Sequence, residues 1–358
     1  MSNTVGFALV GCGRIAQKHS EILGQGLVKG ARLVGVADIM PQRANRLAKK
    51  FNVPAFADMH DMMRKLGGQI DVISVLSESG NHARHVIELA AYGKNIVVEK
   101  PMALTLGDAD AMIHICEEAG IKLFVVKQNR YNLPVTKLRE AMNQGRFGKL
   151  VLGTVRVRWH RDQGYYNQDA WRGTWAMDGG VFANQASHHV DMLQWFMGEA
   201  ESVFAYGRTA LVNIEAEDTG VAVIRFKNGA LGVIEATTAT RPKDLEGSIS
   251  ILGEKGTVEI GGFAVNQMKV WSFTDPLPED SMVFERYSEN PPNVYGFGHV
   301  AFLQHVVDCL VEGVTSLIDG PEGRKSLRLI NAIYQSIETG REVSLKNPPT
   351  NIRLGAKA

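Results

Sequence analysis

Within the first sixteen residues the chain commits to one kind of fold. Val5–Val10 is an unbroken apolar run, and Gly11-Cys12-Gly13-Arg14-Ile15-Ala16 follows it directly. Such a run reads as a strand buried on both faces, and G-x-G-x-x-A reads as the turn that opens a helix behind it. Gly11 permits the tight turn, Gly13 lets backbone come close to a pyrophosphate, and Ala16 allows close helix–strand packing. The free N–H groups at the positive helix end, at Arg14 and Ile15, suit phosphate oxygens. A second apolar run, Leu33–Ala37, ends at Asp38, where an acceptor for ribose hydroxyls is needed. Two unit charges ~4 Å apart repel by about 4 kcal/mol at an effective dielectric of ~20, so Asp38 disfavours a ribose 2′-phosphate. The expected cofactor is NAD. Arg43, five residues on, leaves some NADP tolerance open.

Up to about residue 130, apolar runs alternate with helical patterns. Asp71–Leu76, Asn95–Val98 and Leu123–Lys127 join the first two as strands. Ala83–Tyr92 and Asp108–Ala119 read as helices stopped by Gly93 and Gly120. Repeated strand–helix alternation predicts an α/β, doubly wound (Rossmann) dinucleotide-binding domain over residues 1–130. After a connecting helix, Pro134–Gln144, the period changes to two. In Leu150–His160, Val155, Val157 and Trp159 fall on one side and Arg156, Arg158 and His160 on the other. Thr219–Phe226 and Ala230–Thr240 flank an Asn-Gly turn and read as a hairpin. Further strands are predicted at Val203–Leu211, Ser248–Leu252, Thr257–Ile260 and Met268–Phe273. Residues 131–358 are therefore expected to form an α+β domain around a large, mostly antiparallel open sheet. Two late helices, His299–Glu312 and Pro321–Thr339, are free to pack on either domain.

The remaining composition mainly excludes. The 358 residues carry 39 Lys+Arg against 38 Asp+Glu, which gives no global attraction to nucleic acid or an acidic membrane. Cys12, Cys116 and Cys309 are an odd number without C-x-x-C spacing, so neither a disulfide framework nor a structural zinc site is expected. No signal-peptide pattern opens the chain, and no window reaches the ~20 apolar residues of a membrane helix. The expectation is a cytoplasmic protein with no nucleic-acid or membrane partner.

Two places look chemical. Glu99-Lys100-Pro101 follows the fifth predicted strand, at the carboxyl end of the sheet where open α/β folds bind ligands. The second is Trp171-Arg172-Gly173-Thr174-Trp175 and then Asp178-Gly179-Gly180 through His188-His189-Val190-Asp191. A helix continuing from Gly180 puts Asn184, His188 and Asp191 on one face. The H-H-x-D run lacks the i, i+4 histidine pair of a helical zinc site, and no metal is expected. A histidine has an ordinary pKa near ~6.5 and suits acid–base work in hydride transfer.

On Gly11-x-Gly13-x-x-Ala16, Glu99-Lys100-Pro101 and Gly179-Gly180 followed by His188-x-x-Asp191, the chain resembles the glucose–fructose oxidoreductase/inositol dehydrogenase/MocA superfamily over nearly its whole length. The resemblance implies that Lys100 and His188 flank the reacting carbon, with either one as the base. It also implies cofactor contacts at Gly11, Gly13, Arg14, Ile15, Asp38, Ser77, His82, Glu99, Lys100, Gln128, Trp171 and Arg172. Two departures stand out: Asn184 where the family commonly has aspartate, and Ser77–His82 where it has Thr-Pro. Within the superfamily the chain resembles bacterial UDP-N-acetyl-2-amino-2-deoxyglucuronate 3-dehydrogenases. The stretches that carry this are Leu123–Arg130, Trp171–Trp175, Asn184–His188, Leu245–Ser248 and Val294–His299.

That resemblance implies oxidation of a sugar 3-hydroxyl in the making of surface polysaccharide, and a homotetramer. A UDP-uronate needs cations and aromatic surface, so Arg156, Arg158, Arg161, Tyr165 and Tyr166 join Asn184 and Ser187 as expected substrate contacts. The sequence leaves open a free polyol such as inositol as substrate, and whether a 2-oxo acid reoxidises the cofactor in place. A regulatory protein that only binds the cofactor is a further alternative, and the intact Lys100 and His188 argue against it.

Overall fold

The first unit is a parallel sheet read almost directly from its apolar runs. The computed structural model describes residues 4–288, 296–350 and 352–356. Val294 and Tyr295 of the sequence motifs lie outside the described residues. Strands β1 (Val5–Val10), β2 (Ala31–Ala37), β3 (Ala55–Phe56), β4 (Val72–Val75), β5 (Asn95–Val98) and β6 (Leu123–Val125) pair in the order β3-β2-β1-β4-β5-β6. Every pairing is parallel. All of β1 and β4 is buried, as both-face burial requires. Helices α1 (Arg14–Gly24), α2 (Pro41–Phe51), α3 (Met59–Leu66), α4 (His82–Ala90) and α5 (Leu106–Glu118) make the crossovers. The strand order reverses between β1 and β4, which puts the ligand crevice at the loops leaving these two strands. Two differences from the sequence reading have local causes. β3 is only two residues long, too short to show a period, and β6 stops at Val125 because Gln128–Tyr131 turns into a short 3₁₀ helix.

The second unit is built on an eight-stranded sheet. Helix α6 (Leu133–Asn143) leads into β7 (Leu150–Arg158), a short α7 (Gln163–Tyr166) and α8 (Ser187–Met197). Strands β8 (Ala200–Arg208), β9 (Thr219–Phe226), β10 (Leu231–Thr237), β11 (Glu246–Gly253), β12 (Gly256–Gly261) and β13 (Gln267–Phe273) follow. Then come α9 (Val283–Arg286), α10 (Gly298–Val311), which belongs to the first unit, α11 (Gly320–Thr339) and β14 (Val343–Ser344). The order is β13-β12-β11-β7-β10-β9-β8-β14. Only β7 and β10 pair in parallel. The sheet is therefore the mostly antiparallel one expected, and Gly229 closes the β9–β10 hairpin with φ +85°.

Alternation along β7 decides its two faces. Val155 and Val157 are fully buried on the side that packs α8, each contributing about 1.5–3 kcal/mol. Arg156 and Arg158 project from the other side. By contacts the chain divides into Met1–Val126 with His299–Arg324, and Lys127–Gly298 with Lys325–Ala358. The second segment of each unit follows a long excursion through the other. Among the described residues no helix is long and apolar enough to cross a membrane.

Candidate active site

The glycine turn of the first unit is shaped as a phosphate cradle. Gly11 has φ +94°, and a Cβ there would lie 2.8 Å from the Leu76 carbonyl and the Ser77 nitrogen, so only glycine fits. A Cβ at Gly13 would meet nothing within 4 Å, leaving open space in front of the helix. Helix α1 has no side-chain cap and no acidic residue in its first turn, so its positive end suits phosphate oxygens. Asp38 organises this turn: its carboxylate accepts from the Cys12 N–H at 2.6 Å and the Met40 N–H at 2.7 Å. Two oxygens offer about four lone-pair sites, so acceptor capacity remains for ribose hydroxyls. Cys12 lies in the loop but is no nucleophile, because burial and then Asp38 push its thiol up to about 12.

Lys100 is half-buried just past β5, and its loop is held by three buried histidines. Glu99 Oε2 accepts the Lys100 N–H at 3.0 Å, and Oε1 lies 3.1 Å from His19 Nε2 and 3.7 Å from His299 Nε2. Burial pushes the Glu99 carboxyl up, but the two imidazoles outweigh it and hold it well below the usual range. These three residues bring ligand-type atoms within 4.8 Å of one another, and at 3.1 Å the His19–Glu99 contact is a hydrogen bond. His82, with burial pushing its pKa down, bridges the carbonyls of Ser77 at 3.0 Å and Pro101 at 2.8 Å, while Ser77 Oγ meets His85 Nδ1 at 2.8 Å. His82 and Glu99, both expected at the cofactor, are buried and hold the Lys100 loop. Sequence reasoning missed His19 and His299, since nothing local marks either one.

In the second unit the helix expected from Gly180 is broken. Val181–Gln185 forms a π-helical turn, and α8 starts only at Ser187. Remote side chains enforce this. Tyr334 Oη accepts the Gly180 N–H at 3.0 Å and donates to Glu217 Oε1 at 2.9 Å, and that oxygen also accepts the Phe182 N–H at 3.0 Å. A Cβ on Gly180 would sit 2.2 Å from the Glu217 carbonyl oxygen, so glycine is required. The expected shared face therefore splits. Asn184 Nδ2 donates to Asp178, and Gln128 Nε2 lies 3.0 Å from His188 Nε2. Asp191 takes Arg130 at 2.7 and 2.9 Å, and His189 packs edge-on against Trp159. The H-H-x-D side chains do not converge, and burial pushes His189 down to about 3.

Burial pushes Glu217 up to about 7. A carboxyl whose folded pKa is raised contributes stability below its unfolded value and loses it as pH rises towards the folded value. Wild-type protein is therefore expected to lose stability relative to Glu217→Gln between about pH 4.5 and about pH 7. Thermal melts of the two at both ends of that window check this; parallel curves count against it.

The cationic and aromatic residues fall into two groups. Arg172 lies over the rings of Trp171 and Tyr165, at 4.7 and 4.8 Å from their centroids, and donates to Tyr165 Oη at 3.0 Å. Gln185 Nε2 donates to the same Oη at 3.0 Å, and Arg161 lies 5.3 Å from the Tyr165 centroid. Arg156 and Arg158 do not belong with them. They stand on the opposite face of the sheet from α8, paired with Glu246, Glu259 and Glu235 at 2.6–3.3 Å. Period-two alternation, already visible in the sequence, separates them. Tyr166 is buried with its hydroxyl 3.1 Å from Thr238, and the buried Ser187 hydroxyl donates to the Asn184 carbonyl at 3.1 Å.

Residues 5–127 match the oxidoreductase family's NAD-binding Rossmann fold, and residues 139–345 match its C-terminal alpha/beta domain (GFO_IDH_MocA). The chain belongs to this family. It is an NAD-dependent oxidoreductase, and the cradle at Gly11–Ala16 with Asp38 has the form its cofactor requires. Among solved members of the family, the WlbA dehydrogenase of Bordetella pertussis, in complex with NADH and UDP-GlcNAcA, is 43% identical. That match covers 96% of this chain and 98% of that one, with a TM-score of 0.91. The WlbA dehydrogenase of Chromobacterium violaceum, with the same two ligands, is 41% identical over 96% of each chain, with a TM-score of 0.89. Among characterised members, myo-inositol 2-dehydrogenase of Thermotoga maritima is 29% identical over 94% of this chain and 98% of its own length.

Proposed function

We propose that this family member oxidises the sugar 3-hydroxyl of a UDP-N-acetyl-2-amino-2-deoxyglucuronate, in a pathway to bacterial surface polysaccharide such as O-antigen. The observation that carries the reading is the 41–43% identity over nearly the full chain to two dehydrogenases solved with NADH and UDP-GlcNAcA. The cluster of Arg161, Tyr165, Trp171 and Arg172 supports it, because guanidinium forks and aromatic faces suit a charged nucleotide sugar. A polyol reading rests on the 29% identity to an inositol dehydrogenase.

Oxidation of a secondary alcohol takes a proton from oxygen and a hydride from carbon, and the bound dinucleotide supplies the hydride acceptor. His188 takes the proton. An amide nitrogen only donates, so Gln128 Nε2 at 3.0 Å marks His188 Nε2 as the lone-pair nitrogen, given this amide orientation. A substrate hydroxyl would replace Gln128 as its donor. Lys100, an ammonium at the carboxyl end of the first unit's sheet, suits stabilising negative charge that develops during alcohol oxidation.

The test is kcat/KM for UDP-N-acetylglucosaminuronate, UDP-N-acetylglucosamine and myo-inositol at saturating NAD. The uronate is expected to lead the neutral UDP-sugar by roughly two orders of magnitude, as an arginine desolvated for a carboxylate is left unpaired by a hydroxymethyl group. A neutral sugar within about threefold removes carboxylate recognition, and turnover of inositol alone selects the second reading.

A further inference from the structure

The turn that precedes α8 carries a hydrogen-bond sequence with a charge at each end. Arg161 Nε donates to Gln185 Oε1 at 3.2 Å, and Gln185 Nε2 donates to Asn184 Oδ1 at 3.2 Å. Asn184 Nδ2 then donates to Asp178 Oδ1, while Asp178 Oδ2 accepts the Gly173 N–H at 2.8 Å. Each amide accepts on the arginine side and donates on the aspartate side. Asp178 is 2% exposed and Gln185 9%, so water competes little for these bonds.

We propose that Arg161, Gln185, Asn184 and Asp178 form a directed hydrogen-bond chain in which Asp178 is the positioning residue that fixes the Asn184 amide and, through it, the turn leading into the His188 helix. A guanidinium only donates and a carboxylate only accepts, so the two ends allow the amides one orientation. An amide is required at position 184 because the group there must accept from Gln185 and donate to Asp178. A carboxylate at 184 accepts but cannot donate while ionised, and it would face Asp178 directly. The surroundings are already acidic. Asp178 acts on buried Glu217 and on Tyr166, both in the sense that disfavours further negative charge, and Tyr334 is bonded to Glu217. The opposing cation, Arg161, is committed at the far end and also pairs with Asp244 at 3.0 Å.

The experiment is a swap in the full chain: Asn184→Asp, Asp178→Asn and the double variant, each followed by thermal melts from about pH 5.5 to about pH 8 and by kcat and KM. In Asn184→Asp two facing carboxyls must share a proton, so one folded pKa lies above its unfolded value. Its melting temperature is expected near wild type at the acid end and to fall as pH rises. Its kcat with UDP-N-acetylglucosaminuronate and NAD is expected to drop at least roughly tenfold at the alkaline end, with KM for NAD little changed. In the double variant the amide now at position 178 donates to the carboxylate now at position 184, which still accepts from Gln185. The melting curve is then expected to return to within a few degrees of wild type across the pH range. An Asn184→Asp curve parallel to wild type across pH, or a double variant no better than Asn184→Asp, overturns the chain. The link to catalysis rests on the proposed role of His188. If wild-type protein leaves the UDP-uronate unoxidised, that reading fails, while the melts still decide the hydrogen-bond chain.

Discussion

His188→Asn and Lys100→Met will each lower turnover by two or more orders of magnitude while leaving NAD affinity within a few-fold of wild type. Asparagine at 188 keeps a polar side chain on α8 but has no basic nitrogen. Acid–base groups typically contribute ~10²–10⁴-fold, and a positioned cation at a developing oxyanion contributes on a similar scale. Methionine at 100 keeps an unbranched chain of similar length and removes the ammonium with its charge and its donors. Binding of the dinucleotide should survive both changes, because the phosphate cradle at Gly11–Ala16 and Asp38 involves neither side chain. Fluorescence titration with NADH and steady-state kinetics on each variant separate the two effects. Wild-type turnover in one variant removes that residue from the mechanism, and a parallel loss of NADH binding reassigns it to the cofactor site.

Most of the fold was legible because each unit obeys a simple period. β1 and β4 are buried throughout since both faces are covered, and β7 and β9 alternate since helices pack on one face only. The dinucleotide turn was legible for a related reason: its glycines answer to local backbone needs. β3 escaped because two residues carry no period.

The segment leading into α8 is harder to read for a physical reason. Its helical pattern from Val181 to Phe196 is genuine, yet residues 181–185 wind as a π turn because Glu217 and Tyr334 capture their N–H groups. A bond partner 154 positions away in sequence leaves no local trace. The same holds for His19 and His299, which meet at Glu99 and pack edge-on against each other. Arg156 and Arg158 show the opposite case. Their alternation with Val155 and Val157 already puts them on the far face, and grouping by charge overrode it.

Asp191→Ala will destabilise the protein by about 3–5 kcal/mol, the usual cost of stranding a buried charge. The carboxylate accepts two bonds from Arg130 and lies 3.7 Å from Lys127 Nζ, with all three side chains no more than 4% exposed. Lys127 also donates to Ser326 at 2.8 Å, and Arg130 rests 4.6 Å from the Trp195 ring centroid, so neither cation can reach water by a simple rotation. The consequence reaches the site, because the segment 127–131 that Asp191 anchors also brings Gln128 to His188. Burial raises the Asp191 carboxyl, but Arg130 and Lys127 outweigh it and hold it below the usual range. A depressed folded pKa gives stability that is present above the unfolded value of about 4 and lost as pH falls through the folded one. The gap between wild type and Asp191→Ala should therefore be full near neutrality and shrink in acid. Denaturant unfolding of both proteins at about pH 7.5 and about pH 3 measures it. A difference below about 1 kcal/mol at the higher pH, the scale of an exposed ion pair, would show that Asp191 is not the anchor of Arg130 and Lys127.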